Sequence, residues 1–285
     1  MSSEISFDAF PPPGMAAKAE GVGVEKARLD FLTTFVLAIL AGAFIAVGAI
    51  FCTTVLAGGS ALPYGVARLL AGLAFTTGLI MVVVGGAELF TGNNLVIMAF
   101  ASRKVSLSAL LRNWVIVYVG NFVGSVATAY IMFLSKQHSF GNGAIGLTAL
   151  NIGEAKTDLG FIQAVALGIM CNALVCMAIW LCFSARSTTD KILAIIPPIA
   201  AFVASGFEHS IANMYFIPVA LFIKDLGGPE FFAVIKKTAT DFSHLTWGNF
   251  FLVNLLPVTI GNIIGGAVMV GLVYWFAYLR TAPKS

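Results

Sequence analysis

Two stretches decide the fold: Gly86-Ala87-Glu88-Leu89-Phe90-Thr91-Gly92-Asn93 and Gly206-Phe207-Glu208-His209-Ser210-Ile211-Ala212-Asn213. Both read G-x-E-x-x-x-small-N, and the second lies 120 residues after the first (88 to 208). Each places a single acid inside a long apolar run. Glu88 separates Leu69–Ala87 from Leu89–Ser102, and Glu208 separates Ile192–Phe207 from His209–Ile223. A membrane span needs about 20 apolar residues, so neither half of either run makes a comfortable span alone. The reading is a discontinuous helix in each case. Irregular backbone at membrane depth survives only where protein or a water-filled cavity covers it. Paired interruptions in two halves of a chain point to a transport site.

The rest of the chain agrees. Of its 285 residues, 59% are hydrophobic and only 10% are charged, far from the usual balance of a soluble domain. Such a chain cannot hide its apolar surface as a soluble enzyme, and it lacks the polarity of a disordered one. Phe31–Ala67, Asn113–Ser135, Leu159–Ala185 and Phe242–Leu279 hold four further spans free or nearly free of charge, for six in all. Cys52, Cys171, Cys176 and Cys182 fall in apolar runs and read as small buried hydrophobes. The net charge of +3 is dispersed, so no nucleic-acid footprint is expected. Residues 2–30 hold five acids and three prolines and no apolar signal segment. Ten Lys and Arg fall on the side of the N-terminus and six on the other, which favours cytoplasmic N- and C-termini. The expected division is a cytoplasmic segment (1–28), a channel domain (29–279, with repeats at about 29–136 and 157–279) and a short cytoplasmic tail (280–285).

The breaks belong to a longer internal repeat. Gly120-Asn121-Phe122-Val123-Gly124 in the third span matches Gly261-Asn262-Ile263-Ile264-Gly265 in the sixth. Phe35, Ala38 and Gly42 in the first align more weakly with Phe161, Ala164 and Gly168 in the fourth. Small residues recur in any membrane bundle because they let helices approach. That accounts for the glycines but not for a Glu and an Asn at equal spacing in both breaks. Three spans per repeat is an odd number, so the second repeat is inverted. The expected class is an all-α integral membrane protein of six helices, with the second and fifth broken.

A broken helix presents unpaired N–H groups and a positive dipole end, both of which suit an anion. Thr91 and His209 lie in the breaks and can each hydrogen-bond a carboxylate. Asn172 and Asn262 lie mid-span, where lipid exposure is costly, and are expected to face the interior. A lone buried histidine is often structural, tying helices together. In a break, beside Glu208, in a bundle poor in other titratable groups, His209 reads instead as a proton-carrying residue. Glu88 and Glu208 have a plainer reading: they tie down broken backbone or pair with a loop lysine such as Lys156. Phe75, Leu79, Leu89, Phe90, Phe202 and Phe207 are core residues, of which a few can form dry constrictions around the polar centre.

Gly86-Ala87-Glu88-Leu89-Phe90-Thr91, Ser205-Gly206-Phe207-Glu208-His209-Ser210-Ile211-Ala212-Asn213-Met214 and Pro257-Val258-Thr259-Ile260-Gly261-Asn262 resemble the formate–nitrite transporter family, and within it the formate channel branch. The resemblance covers essentially the whole chain, including the segment from Phe7-Asp8 to Lys26-Ala27. It implies an aquaporin-like hourglass protomer in a homopentamer of the cell inner membrane, each protomer with its own pore and no cofactor. It implies a pore centre at His209 with Thr91 and Asn262 nearby and Asn172 behind, and an entrance lysine at Lys156 with Glu208 and Asn213 as supporting polar groups. It further implies hydrophobic slits at Phe75, Leu79, Leu89 and Phe202, and a pH-responsive N-terminal segment, which a soluble formate-metabolising enzyme could contact. Formate is the expected substrate. Nitrite, acetate and hydrosulfide are the other small anions in view. The expected mechanism has lysine charge and half-helix ends drawing the anion in and His209 protonating it. In the rival version His209 stays charged and only attracts.

Other classes fit less well. A membrane enzyme would need a metal cluster, a nucleophile with a base or a phosphate loop, and no such motif occurs. The N-P-A repeats of a water channel, the paired buried histidines of an ammonium channel and the large extramembrane domain of a receptor are all missing from the sequence.

Overall fold

The computed structural model describes residues 9–58 and 61–281. Phe7 and Asp8, the Gly59-Ser60 part of the first loop and Lys284 lie outside the described residues. The described part is helical throughout: α1 (Pro12–Arg28), α2 (Phe31–Leu56), α3 (Tyr64–Gly85), α4 (Phe90–Ala101), α5 (Leu107–Leu134), α6 (Ala144–Thr157), α7 (Phe161–Ser184), α8 (Thr188–Ala204), α9 (Ser210–Leu226), α10 (Gly228–Ile235) and α11 (Trp247–Tyr278). Polar caps start three of the five long helices. Asp30 accepts from Thr33 N at 3.0 Å before α2, Ser106 from Ala109 N at 3.2 Å before α5, and Thr246 from Asn249 N at 3.1 Å before α11. α1 packs against the last turns of α11, so both ends of the described chain share one face, called here the N-terminal face.

Five helices are long and apolar enough to cross a membrane: α2, α3, α5, α7 and α11. The second span is longer than the charge gaps suggest. α3 begins at Tyr64 rather than Leu69 and carries Arg68 inside it. The guanidinium reaches the carbonyls of Val203 and, at 3.3 Å, Ala204, where α8 ends and its dipole is negative. Lys156, placed in a loop by the sequence reading, closes α6.

The breaks form as the repeated motif requires. α3 and α8 end on Gly86 (φ 77°) and Gly206 (φ 74°), left-handed positions that glycine takes without a Cβ penalty. Ala87 N then closes back on Val82 O at 2.9 Å and Phe207 N on Phe202 O at 3.1 Å. The chain runs extended through Leu89 and His209, and a new half-helix starts at Phe90 or Ser210. Glu88 N and Glu208 N find partners on the neighbouring first helix of each repeat, Leu37 O at 3.2 Å and Leu167 O at 3.3 Å.

Those contacts correct one alignment. Leu37, Ala38 and Ile39 do in α2 what Leu167, Gly168 and Ile169 do in α7, so the first and fourth spans match with Phe31 on Phe161, not Phe35. The sequence pairing was one helical turn out, because small residues spaced by four fall on the same face. The repeat also has a fourth element. α1 precedes α2 as α6 precedes α7, with Gly23 and Lys26 standing where Gly153 and Lys156 stand.

α11 is irregular: Phe250–Leu255 and Ile264–Leu272 are π-helical. The first wide turn lies just before Pro257, whose ring would otherwise meet the carbonyl four residues back. Glycines set the helix spacing in both repeats. A Cβ on Gly124 would lie 2.0 Å from Ile39 O, and one on Gly265 would lie 2.1 Å from Ile169 O. Gly124→Ala and Gly265→Ala are each expected to cost about 1–3 kcal/mol by forcing backbone apart. Gly65→Ala, in α3 with open space around it, should leave the melting temperature in detergent unchanged or higher. Equal melting of all three variants would contradict this account of the packing.

Candidate functional site: two vestibules closed on Thr91 and His209

The two halves of the site are built from equivalent residues. In the second repeat, Lys156 Nζ meets Glu208 Oε1 at 2.7 Å, and Asn213 Nδ2 donates to Glu208 Oε2 at 2.7 Å and to Asn254 Oδ1 at 2.7 Å. Asn254 Nδ2 reaches Glu208 Oε2 at 3.2 Å and Lys156 O at 2.9 Å. The first repeat does the same with Lys26, Glu88, Asn93 and Asn113. Lys26 Nζ bonds Glu88 Oε1, and Asn93 Nδ2 donates to Glu88 Oε2 at 2.7 Å and to Asn113 Oδ1 at 3.0 Å. Asn113 Nδ2 in turn reaches Lys26 O at 3.2 Å. Both carboxylates are buried. A charge so placed is tolerated only when paired and hydrogen-bonded, and here each acid has a lysine and at least one amide. The acids therefore anchor the broken backbone, the plainer of their two readings.

Asn121 and Asn262 staple the breaks. Asn262 Nδ2 donates to Gly168 O at 2.8 Å and Glu208 O at 3.0 Å, and its Oδ1 accepts from Ser210 N at 2.9 Å. Asn121 repeats the set with Ala38 O at 2.7 Å, Glu88 O at 2.9 Å and Phe90 N at 2.9 Å. Three of an amide's hydrogen-bonding sites are thus committed to backbone. Asn262, expected near the substrate, stands behind the break with no hydrogen bond to His209. Asn172 lies further back. Its Nδ2 contacts Thr91 O at 3.3 Å, Asn94 Oδ1 at 2.9 Å and Asn262 O at 2.7 Å, while the Cys176 thiol donates to Thr91 O at 3.3 Å. These groups hold the Thr91 and Asn262 carbonyls.

At the centre the pseudo-symmetry fails. The equivalents of Leu89 and Thr91 are His209 and Ile211, so the imidazole comes from one repeat and the hydroxyl from the other. Thr91 Oγ1 and His209 Nε2 are 2.9 Å apart, and both residues are buried. The tautomer follows from the cap. His209 Nδ1 accepts from Ala212 N at 3.0 Å, so Nε2 carries the hydrogen and donates to Thr91, whose own O–H is left to donate onward. The free N–H groups expected at the half-helix ends are largely taken: Phe90 N by Asn121, Ser210 N by Asn262, Ala212 N by His209 itself.

Two cavities approach this pair from opposite faces, and His209 lines one of them. One of about 430 Å³ opens on the far face between Arg68, Lys156, Phe207, Phe75, Phe202 and His209. The other, of about 310 Å³, opens on the N-terminal face between Lys18, Lys26, Lys191, Val82, Leu89 and Asn93. Among the described residues none lines both cavities. Phe75 and Phe202 meet edge to face at 5.6 Å, and Phe202 stacks on His209 at 5.9 Å, closing the far side. Leu89 closes the other. Leu79 is buried in the core and lines neither cavity. Phe90 turns away from the path, edge-on to Tyr118 at 4.9 Å and Trp114 at 6.1 Å.

Lys26, Asn93, Asn113, Asn121, Asn254 and Cys176 were not singled out as site residues from sequence. The signal for five of them was present: Lys26 and Lys156, Asn93 and Asn213, Asn113 and Asn254, and Asn121 and Asn262 hold equivalent places in the two repeats. Cys176 has no such mate.

Known proteins share this architecture. A sequence model of the formate/nitrite transporter family matches residues 13–276. The chain is 46% identical over 280 residues to the formate channel FocA of Escherichia coli (strain K12), covering 98% of each. It is 38% identical to the formate channel FocA of Haemophilus influenzae (strain ATCC 51907 / DSM 11121 / KW20 / Rd), covering 95% of each. A solved pentameric formate channel with formate bound superposes with a TM-score of 0.84 at 47% identity, over 88% of this chain and 98% of that one. An FNT family ion channel superposes with a TM-score of 0.78 at 30% identity, over 92% of this chain and 98% of that one. Inverted, doubly broken and matched over nearly its whole length, this chain belongs to the formate/nitrite transporter family.

Proposed function

We propose that this protein is a formate channel that assembles as a pentamer, each protomer passing the anion between its two vestibules through the Thr91–His209 pair. The observation that carries this reading is the 2.9 Å contact between Thr91 and His209, which sets two polar hydrogens between apolar walls. The similarity to formate channels supports the substrate and the assembly. The N- and C-termini face the cytoplasm of a cell whose inner membrane holds the channel, residues 1–28 act on the pore mouth, and a soluble formate-metabolising enzyme docks there. Nitrite, acetate and hydrosulfide are weaker substrates.

The energetics select the route. Moving a bare anion through a dry constriction costs tens of kcal/mol by Born estimates, less after relaxation. Protonating a carboxylate of pKa near 3.7 at pH 7 costs about 4.5 kcal/mol. Lysines on both faces concentrate the anion, and at the centre it accepts from Thr91 O–H and His209 Nε2–H. Proton delivery from His209 needs Nδ1 to be protonated first, which displaces the Ala212 N–H cap. The anion's charge favours that step. Nε2 then gives its proton, and formic acid leaves as a neutral molecule.

Vesicles containing the protein are expected to swell in iso-osmotic sodium formate well above protein-free vesicles, and faster than in nitrite, with formate flux changing between pH 7 and pH 5. Fast nitrite entry with little formate entry would reassign the substrate within the family. Flux of neither anion would overturn the channel reading in this conformation.

A further inference from the structure

A third cavity lies outside both vestibules. It occupies about 480 Å³ on the far face, where the spanning helix α5 and the half-helix α9 end and α10 begins. Its chemistry is divided. Lys136 and Glu230 stand exposed in its walls, and among the described residues neither belongs to an ion pair. Leu134, Leu226 and Val234 also line it and are 58%, 57% and 57% exposed, continuing the apolar surface of the helices below. His138 forms part of the wall as well. It is only 8% exposed, its ring stacks on Phe133 at 5.3 Å and meets Phe231 edge-on at 5.1 Å, and its Nδ1 has no hydrogen-bond partner. Burial, and then the Lys136 charge, hold its pKa below the usual histidine value. The ring is therefore a neutral, buried group short of one hydrogen bond.

A cation, an acid, an unsatisfied imidazole and an apolar lip meet at the level where the helices leave the membrane. We propose that this cavity seats the headgroup of an amino-phospholipid, a phosphoethanolamine, with its acyl chains over Leu134, Leu226 and Val234. The phosphate pairs with Lys136 and the primary ammonium donates to Glu230, beside the buried His138 ring. Charge complementarity favours this occupant. A purely anionic headgroup would bring no cation to pair with Glu230, and a choline has no N–H to donate to the carboxylate. The site is separate from the conduction path, so its failure would leave the proposed channel function standing.

The test uses the full-length oligomer, delipidated in detergent and titrated with short-chain phosphatidylethanolamine, phosphatidylcholine or phosphatidylglycerol, and with free phosphoethanolamine. Native mass spectrometry and thermal melting are the readouts. Phosphatidylethanolamine should add saturably, one per protomer, and raise the melting temperature by several degrees, with the other lipids at least about tenfold weaker. Lys136→Asn, which suits the left-handed backbone at that position (φ 58°), and Glu230→Gln should each weaken the phosphatidylethanolamine effect about tenfold and leave formate flux unchanged. If either variant melts early without lipid, the charge exchange Lys136→Glu with Glu230→Lys replaces it and should give the same loss of headgroup preference. Equal binding of all three lipids, equal binding by wild type and variants, or an effect of free phosphoethanolamine as large as that of the lipid would each overturn the proposal. So would the absence of any adduct on the assembled protein, which would mean that a neighbouring copy fills the cavity.

Discussion

Replacing Asn262 with leucine is expected to be among the most destabilising single changes in the bundle. The substitution removes two donors and one acceptor at once. Glu208 O and Ser210 N would then be left without their partner, and Gly168 O would lose its second donor, in the buried interior. Each orphaned group costs about 1–3 kcal/mol, and a branched hydrocarbon supplies no substitute. A total of roughly 2–6 kcal/mol for the two orphaned groups should lower the melting temperature in detergent by about 10 °C, or prevent insertion altogether. Asn121→Leu should behave alike, because Asn121 makes the same three contacts in the other repeat. Asn262→Asp keeps the acceptor for Ser210 N and should fall between wild type and leucine. Melting of Asn262→Leu within a degree or two of wild type would show that the break is held by something other than this amide.

The second large effect concerns transport. His209→Leu removes the Nε2–H donor and the titratable group together, and leaves Thr91 without its partner. A hydrogen bond to a charged group is worth about 1.5–3 kcal/mol, so formate flux at pH 7 should drop about 10- to 100-fold. The pH dependence of what remains should then be that of the lipid alone. His209→Gln separates the two roles, since glutamine can donate a hydrogen bond but carries no proton between pH 5 and 8. It should keep more flux than leucine and share its flat pH profile. A wild-type pH profile in the glutamine variant would sink proton transfer at this site and leave His209 as a hydrogen-bond donor only. Ala212 N also loses its side-chain acceptor in His209→Leu, so melting of both variants must accompany the flux measurements.

Much of this molecule was legible in its sequence for a simple reason: water-to-lipid transfer dominates. A charge inside an apolar run is too costly to be accidental, so Glu88 and Glu208 marked the breaks, their shared G-x-E-x-x-x-small-N pattern marked the repeat, and three spans per repeat marked the inversion. Glycine at Gly86 and Gly206 stated the turn, because the left-handed backbone there penalises a Cβ. The pairing of Lys156 with Glu208 was legible as well, since a buried acid needs a cation.

Only the tertiary structure decided which way each side chain faces and what it meets. Phe90 follows Leu89 by one residue, yet one packs on Tyr118 while the other closes a vestibule. Hydrophobic transfer energy is blind to that difference. Asn262 and Thr91 look alike as polar residues in apolar helices, but one is consumed by backbone and the other meets His209. The register of α2 against α7 was ambiguous by one turn, because small residues four apart present the same face. The role of Lys26 depended on α1 folding back to the first break, a contact across 62 positions that no local pattern encodes. Composition and period determined that this chain spans a membrane as two inverted, broken repeats. Hydrogen-bond satisfaction, which depends on partners distant in sequence, decided which of its polar residues hold the fold and which meet at its centre.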